Sequence, residues 1–389
     1  MAEFRQLSPS QAASAAETVY DIKEGTDVGS EFSESKVANL FEFDSCTTKR
    51  VEARSGAFQF KSKTGFGVIA KGAGDFKDDA IIACRGTAGL YDSLTDLNIG
   101  AQLSKSGHTV HAGFHRTFGE FQADISAFLR LHKPRRVHCV GHSLGGALAT
   151  LSADFVRAQG KEAALYTFGC PRVGFSSLAQ SLSNSALVGP HNIRRVYHSG
   201  DPVSMVPLWP FVHAPQPKGE CYVGKFMDFN PWQHKMDNYI GSVNGHADWA
   251  TLVKPQPNFE NHIDTWLNSE KAGQYFGLNF FNVTMIVGAM KLVIENAIKL
   301  GVTSLGLVAL GGMTLLDWMS QMLDKAAAIS VDADGMVMRL MQRILSMLGI
   351  SIQQGQKLTH PFIRFVLQKL TFAINRSVML ALTVLAAPL

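Results

Sequence analysis

A five-residue turn places the tightest constraint on how this chain can fold. The segment Gly141-His142-Ser143-Leu144-Gly145 directly follows the apolar, strand-like residues 136–140, and a helix-forming run of small residues begins immediately after it. A turn of this kind is sharp, so side chains at the two glycine positions would collide with the neighbouring strand and helix. The glycines therefore predict a strained strand-to-helix elbow that raises the Ser143 side chain beside a helix N-terminus.

Strand-like and helix-like segments alternate on both sides of this elbow. An N-terminal helix is predicted from Ser8, as N-cap, with Pro9 at its first position. Strands are predicted at residues 57–60, 65–71, 80–84, 136–140, 165–169 and 193–198, and the run 80–84 is apolar throughout, as a buried central strand should be. Helices are predicted at residues 114–131, 143–157 and 176–183. This alternation indicates an α/β fold with a mostly parallel sheet.

The character of the chain changes after Trp249. Residues 300–316 are seventeen uncharged residues in a row, whereas a bilayer span needs about twenty, and their glycines also suit close helix packing. Three hypotheses stay open: a buried helix of a helical cap, a membrane-inserting segment, or a partner-docking surface. The chain is predicted to comprise a helical and extended lead-in (1–55), an α/β domain (56–255) and a hydrophobic helical C-terminal domain (256–389).

Charge gives little support for nucleic-acid binding. The net charge is +4 over 389 residues, without a dense Lys/Arg block. A mildly basic protein is better suited to anionic lipid headgroups. The N-terminus lacks the continuous apolar stretch of a Sec signal peptide, so the protein is expected to be made in the cytoplasm, and any export would use another route.

The five cysteines are widely spaced, and neither a Cys-x-x-Cys pair nor a Cys/His cluster with metal-ligand spacing occurs. They are therefore predicted to be buried, reduced thiols. We expect neither a metal site nor a cofactor.

A serine raised on such an elbow suggests nucleophilic catalysis, which requires a base and an acid that orients it. In this type of fold the three residues follow in the order Ser, Asp, His. Asp201 comes just after the predicted strand 193–198, where a sheet presents its functional side chains. The downstream histidines are His213, His234, His246 and His262. His234 is favoured as the base because it enters a helix after an Asn-Pro turn, and His246 is the alternative base.

Two backbone N–H groups are candidates for binding an oxyanion. One belongs to Leu144, the residue after the serine. The other belongs to Thr87, in the loop after strand 80–84, where Gly86 lets the backbone turn closely.

Five motifs in a fixed order carry a resemblance to a known family. They are Cys84-Arg85-Gly86-Thr87, Val110-His111-Ala112-Gly113-Phe114, the ten residues 141–150 (GHSLGGALAT), residues 166–174 (YTFGCPRVG) and residues 201–207 (DPVSMVP). Together they resemble the class 3 lipases, which are fungal-lipase-like α/β hydrolases. The resemblance implies a Ser143, Asp201 and His234 triad, with Thr87 and Leu144 as oxyanion donors. Phe175 departs from the family, which usually has Asn or Asp there, and the interval from Asp201 to His234 is compact.

The family also has a lid over its pocket, which here corresponds to residues 88–109. The apolar side chains that would form the lid are Leu90, Tyr91, Leu94, Leu97 and Ile99. The alternative is a well-packed connection that does not move.

The resemblance implies a lipase or phospholipase that acts on carboxylic esters of membrane lipids. An apolar appended region without a Sec signal resembles antibacterial lipase effectors of contact-dependent secretion systems, whose partners are a cognate immunity protein and the secretion apparatus. One alternative is an intracellular or membrane-associated triacylglycerol or short-chain ester lipase of ordinary metabolism. The other is a non-catalytic binding protein on a hydrolase scaffold. The sequence does not identify acyl chain length, head group or the ester position cleaved.

Overall fold

The computed structural model describes residues 5–22, 27–44, 49–55, 62–86, 100–216, 220–223, 229–252, 262–269, 277–300 and 314–386. Thr87 and the five lid residues therefore lie outside the described part of the chain, as do residues 301–313 of the uncharged run and the predicted strand 57–60.

The described strands form a large mixed sheet and a small two-stranded sheet. The strands are β1 (Phe41–Glu42), β2 (Lys49–Ser55), β3 (Ser62–Gly72), β4 (Asp79–Cys84), β5 (Ala101–Leu103), β6 (Thr109–His111), β7 (Arg136–His142), β8 (Glu162–Phe168), β9 (Ile193–Tyr197) and β10 (Glu220–Val223). The large sheet has the order β1-β3-β4-β7-β8-β9-β10, with β2 also paired to β3. From β4 to β10 every pairing is parallel, whereas β1, β2 and β4 are antiparallel to β3. The mostly parallel α/β sheet is as predicted.

The described helices are α1 (Pro9–Thr18), α2 (Val28–Phe32), α3 (Ala112–His132), α4 (Leu144–Ala158), α5 (Ser176–Asn184), α6 (Met236–Val243), α7 (Ile263–Asn268), α8 (Phe280–Lys299), α9 (Leu315–Ala327), α10 (Val331–Met347) and α11 (His360–Ala386). Helix α1 begins as predicted: Ser8 accepts a hydrogen bond from the Gln11 N–H, and the Gln11 side chain accepts one from the Ser8 N–H.

Helices cover both faces of the sheet because its central strands are apolar on both sides. In β4, Ile82 and Cys84 belong to the core shared with α3 and α4, whereas Ile81 and Ala83 belong to the core shared with α1 and α6. Three cysteines with described side chains, Cys84, Cys139 and Cys170, are buried free thiols, as predicted.

The C-terminal helices α8 to α11 join the core of α3 and α4. The Phe280 ring stacks on Tyr197 at the end of β9, and Trp318 lies against Trp209. By length and composition alone, the helix Phe280–Lys299 and the stretch His360–Leu385 could each cross a membrane, but buried core helices meet the same criterion. The described helices on both sides of residues 301–313 pack as a cap on the α/β core.

Candidate active site

The turn after β7 has the elbow geometry that the sequence predicts. Ser143 has the left-handed backbone angles φ 55° and ψ −132°, and α4 begins at the next residue. A Cβ atom on Gly145 would lie 2.2 Å from the carbonyl oxygen of Cys84, which only glycine can avoid. The Ser143 N–H donates to the carbonyl of Phe168 on β8, at 2.9 Å. The strained serine is therefore fixed by the two neighbouring strands.

The side chains of Ser143, His234 and Asp201 form one hydrogen-bonded chain. His234 Nε2 lies 2.7 Å from Ser143 Oγ, and His234 Nδ1 lies 2.8 Å from Asp201 Oδ2. Because an ionised carboxylate only accepts hydrogen bonds, Nδ1–H donates to Asp201. Nε2 is then free to accept the hydroxyl proton of Ser143, as a general base must.

Asp201 is fully buried but remains ionised because three donors surround it. Its Oδ1 accepts the Val203 N–H at 2.8 Å, and its Oδ2 accepts the Tyr239 hydroxyl at 2.6 Å. Burial alone would raise the pKa of Asp201, but the charge and hydrogen bond of His234, with the Tyr239 and Val203 hydrogen bonds, hold it below its usual value. Burial and the Asp201 carboxylate raise the pKa of Tyr239, so this phenol keeps the proton that it donates.

His142 holds the backbone of the candidate base. Its Nε2–H donates to the carbonyl oxygen of His234 at 2.8 Å, and its Nδ1 accepts the Tyr20 hydroxyl at 3.0 Å. Burial and the neighbouring His234 lower the pKa of His142 to about 3, so the ring is neutral, as this pair of hydrogen bonds requires. Nothing in the sequence links His142 to Tyr20, 122 positions away.

A second ring supports the other side of the site. His198 stacks on Tyr239 with ring centroids 4.1 Å apart, and its Nδ1 lies 3.1 Å from the carbonyl oxygen of Gln233, the residue before His234. The sequence does not predict His198 as a site residue. Its position directly after β9, three residues before Asp201, is the only sequence signal that could have found it.

The other downstream histidines have different partners. His246 Nδ1 lies 2.8 Å from the Thr251 hydroxyl, and His213 Nε2 donates to the carbonyl of Ser204. His262 is exposed just before α7. The structure thus brings His234, rather than the alternative base His246, to Ser143.

One of the two predicted oxyanion donors is described. Leu144 is the first residue of α4, and a Cβ atom on Gly86 would lie 3.4 Å from the Leu144 nitrogen. The chain that leads to Thr87 therefore passes beside the Leu144 amide.

Ser143, His234 and Asp201 each have 0% of their surface exposed. An ester can therefore reach the Ser143 hydroxyl only after covering groups move. Within the described ranges, no three His, Cys, Asp or Glu side chains are grouped closely enough to hold a metal ion.

Comparison with known proteins identifies the segment that contains the elbow. Residues 81–211 match the family model for lipase (class 3), a span that includes Ser143 and Asp201 and ends before His234. This segment is similar to the class 3 lipases. The match agrees with the resemblance carried by the five sequence motifs.

Two curated relatives illustrate the range of class 3 lipase-like proteins. Secreted mono- and diacylglycerol lipase 1 of Fusarium solani is 32% identical over 152 residues, which cover 38% of this chain and 44% of that protein. Toxin TseL of Vibrio cholerae is 34% identical over 112 residues, which cover 27% of this chain and 17% of the toxin. The chain thus spans less than half the length of these relatives.

Solved lipase structures overlap this chain in part. The triacylglyceride lipase of Rhizomucor miehei has 25% identity and a TM-score of 0.40, covering 56% of this chain and 78% of its own. Lip2 lipase of Yarrowia lipolytica has 18% identity and a TM-score of 0.41, with the same two coverages. The fold assignment rests on the strand order and the elbow themselves.

Proposed function

We propose that this protein is a serine hydrolase that cleaves carboxylic ester bonds of membrane lipids. The observation that carries the proposal is the hydrogen-bonded chain from Ser143 through His234 to Asp201, at 2.7 and 2.8 Å. These residues are 58 and 33 positions apart in sequence, and the fold joins them at the carboxyl ends of the parallel strands, where α/β proteins bind ligands.

In this mechanism Ser143 Oγ attacks the ester carbonyl carbon as its proton passes to His234 Nε2. The negative oxygen that forms would be bound by the Leu144 N–H and by Thr87. The C–O bond to the alcohol then breaks, and His234 returns the proton to the departing alcohol oxygen, leaving an acyl group on Ser143. A water molecule, deprotonated by His234, releases the fatty acid and restores the serine.

The lipid substrate class is supported by the family match and by the relatives' names. Those names include mono- and diacylglycerol lipases, a toxin, and a chloroplastic phospholipase A(1) of Arabidopsis thaliana that is 30% identical over 154 residues. We favour phospholipid as substrate because the apolar C-terminal helices and the mild positive charge suit a membrane surface.

Lipid mass spectrometry on mixed phospholipid vesicles tests the proposal. The full-length protein is expected to release free fatty acid and lysophospholipid. In Ser143→Ala, kcat should fall on the order of a millionfold. Hydrolysis of a short p-nitrophenyl ester provides a second readout that needs no lipid surface. Equal activity in the wild-type and alanine proteins would overturn the assignment.

A second proposal concerns biological role: the protein acts as an antibacterial toxin at target-cell membranes. The specific observation in its favour is the 34% sequence identity to Toxin TseL over 112 residues. Under this proposal the protein is made in the cytoplasm, exported by a contact-dependent secretion system, and neutralised in the producer by an immunity protein.

Expression in a bacterial host separates this role from ordinary lipid metabolism. Protein directed to the periplasm is expected to stop growth, whereas the same protein in the cytoplasm and periplasmic Ser143→Ala are expected to be harmless. Harmless periplasmic expression of active enzyme would favour an intracellular or membrane-associated metabolic lipase.

A further inference from the structure

Helix α11 presents an apolar face away from the protein. Its 27 residues extend about 40 Å at roughly 1.5 Å per residue. The large exposed side chains on that face recur at helical spacing, together with two basic residues; they are Phe365, Lys369, Phe372, Arg376, Met379 and Leu380. We call these six residues the docking face. Phe372 is 66% exposed and Leu380 is 53% exposed. Exposed apolar side chains are common singly, but four along one helix face are typical of an interaction surface.

The opposite face of α11 is buried in the protein. It contributes Ile363, Val366, Leu370, Ile374 and Val378 to the core shared with α8, α9 and α10. Although α11 is long and apolar enough to cross a bilayer, a helix held along one side in this way can contact a membrane only along its length.

The charge of this part of the chain is entirely positive. After Asp334 the sequence contains six Lys and Arg residues but neither Asp nor Glu, although the whole chain has a net charge of only +4. The rest of the chain is therefore slightly acidic. Arg364 is paired with Asp317 on α9, whereas Lys369 and Arg376 are exposed on the docking face itself.

Helix α11 also contacts the candidate active site. Helix α11 packs against the turn Pro231–His234, which carries the candidate base. Trp232 in this turn is 57% exposed, and Lys235 Nζ lies 5.1 Å from the centre of its ring. On α11, Lys369 Nζ lies 5.4 Å from the centre of the Phe365 ring. Both pairs combine an exposed aromatic ring with a cation, the combination that suits the boundary between headgroups and acyl chains.

We propose that the docking face binds the surface of an anionic phospholipid bilayer. This inference rests on the proposed function and specifies that the enzyme binds its lipid substrate as part of a bilayer. Phe365, Phe372, Met379 and Leu380 enter the acyl boundary, while Lys369 and Arg376 contact anionic headgroups. The bilayer is then held against the helix that packs on the turn carrying His234.

Vesicle co-sedimentation of the full-length Ser143→Ala protein tests the proposal without hydrolysis of the vesicles. Vesicles are prepared from phosphatidylcholine alone or with half of it replaced by phosphatidylglycerol. Phe372→Asp with Leu380→Asp is expected to weaken binding to the anionic vesicles at least about tenfold, since two apolar contacts become repulsive charges. Lys369→Gln with Arg376→Gln is expected to remove the preference for anionic vesicles.

Leu131→Asp is the matched control. Leu131 is also a large, exposed apolar residue, but it lies at the end of α3, just before β7 begins, whereas Ser143 follows the other end of that strand. This substitution is expected to leave vesicle binding unchanged. Circular dichroism and thermal unfolding of each variant establish that the fold is intact.

Unchanged binding by the Phe372 and Leu380 double variant would overturn the docking proposal. A change of oligomeric state in that variant, without a change in vesicle binding, would instead assign the face to a protein contact and also overturn it. Hydrolysis of a soluble ester by the wild-type protein is scored separately. If hydrolysis fails while binding behaves as expected, the proposed function is wrong and the docking face stands.

Discussion

At the scale of single residues, the position of the candidate base depends on a chain of hydrogen bonds that begins at Tyr20, two residues after the end of α1. Tyr20 contacts His142, and His142 donates to the His234 backbone. Tyr20→Phe is expected to reduce kcat about fivefold with little change in KM, because a hydrogen bond of this kind contributes about 1 kcal/mol. Steady-state kinetics on a soluble ester measure this effect.

Tyr166→Phe is the control for Tyr20→Phe. The Tyr166 hydroxyl is also buried, but it accepts the Leu7 N–H and contacts His138. Its removal should lower stability without lowering kcat. If both variants behave alike, Tyr20 has only a structural role.

The identity of the base can be tested by two matched substitutions. His234→Ala is expected to lose activity about as completely as Ser143→Ala, because Ser143 Oγ then has no acceptor for its proton. His246→Ala is expected to keep most activity, since His246 contacts Thr251 instead. Activity on a p-nitrophenyl ester ranks the two variants, and the reverse order would move the base to His246.

The burial of His111 makes the free energy of unfolding depend on pH. Burial, aided by the charge of Arg116, lowers the pKa of His111 from 6.5 to about 3. Between these values the unfolded chain binds a proton that the folded protein does not, so the free energy of unfolding falls as the pH falls. The loss is about 1.4 kcal/mol per pH unit at this residue.

His111→Asn isolates that contribution. The His111 ring caps α3 by accepting the Phe114 N–H, and asparagine can cap a helix without becoming protonated. Denaturant unfolding at pH 7 and pH 5 should give a smaller pH dependence in the variant than in the wild-type protein. An unchanged slope would contradict the assignment of a neutral, buried His111.

The site is unevenly predictable from sequence. Ser143 is found from a local pattern, because the flanking glycines are required by contacts within the turn itself. Asp201 and His234 follow from their order and their positions after a strand and before a helix. Tyr20 and His198 are missed because their hydrogen bonds arise only when distant segments pack together.

At the scale of elements, the central strands are predictable and the outer strands are not. Strands β4, β7 and β8 are buried on both faces and appear as largely apolar runs. In contrast, β2 is the segment KRVEARS, whose charges hide any apolar alternation, and β10 has only four residues. Such strands form because a neighbouring strand offers hydrogen bonds, which no local pattern records.

Deletion of residues 280–389 tests the role of the C-terminal helices. The sequence leaves open whether they form a cap or a membrane-inserting region. Because α8 to α11 share a core with α3 and α4, the truncated protein is expected to expose apolar surface and aggregate. Size-exclusion chromatography would show this as loss of the monomer peak. A soluble, monomeric truncated protein with ester hydrolase activity would contradict the cap.

At the scale of the whole molecule, composition predicts a boundary between an α/β domain that ends at residue 255 and a hydrophobic helical domain that begins at residue 256. This division stays a prediction. In the described part of the chain, one continuous apolar core extends from α3 and α4 to α11. Composition shows only how apolar each region is. Cooperative unfolding depends instead on which side chains are in contact, and apolar side chains on the two sides of this boundary share one core.

The left-handed backbone at Ser143 is part of the active site but lowers the stability of the whole protein. A non-glycine residue held in such a conformation costs on the order of 1–3 kcal/mol, and the φ of 55° would suit glycine. Ser143→Gly is therefore expected to abolish hydrolysis but raise the thermal unfolding midpoint, whereas Ser143→Ala should not raise it; equal midpoints in the two variants would contradict this. In a lineage without selection for catalysis, substitution of Ser143 by glycine would thus be favoured. Such an inactive protein would be more stable, and it would still be recognisable by Gly141 and Gly145, which close contacts in the turn require.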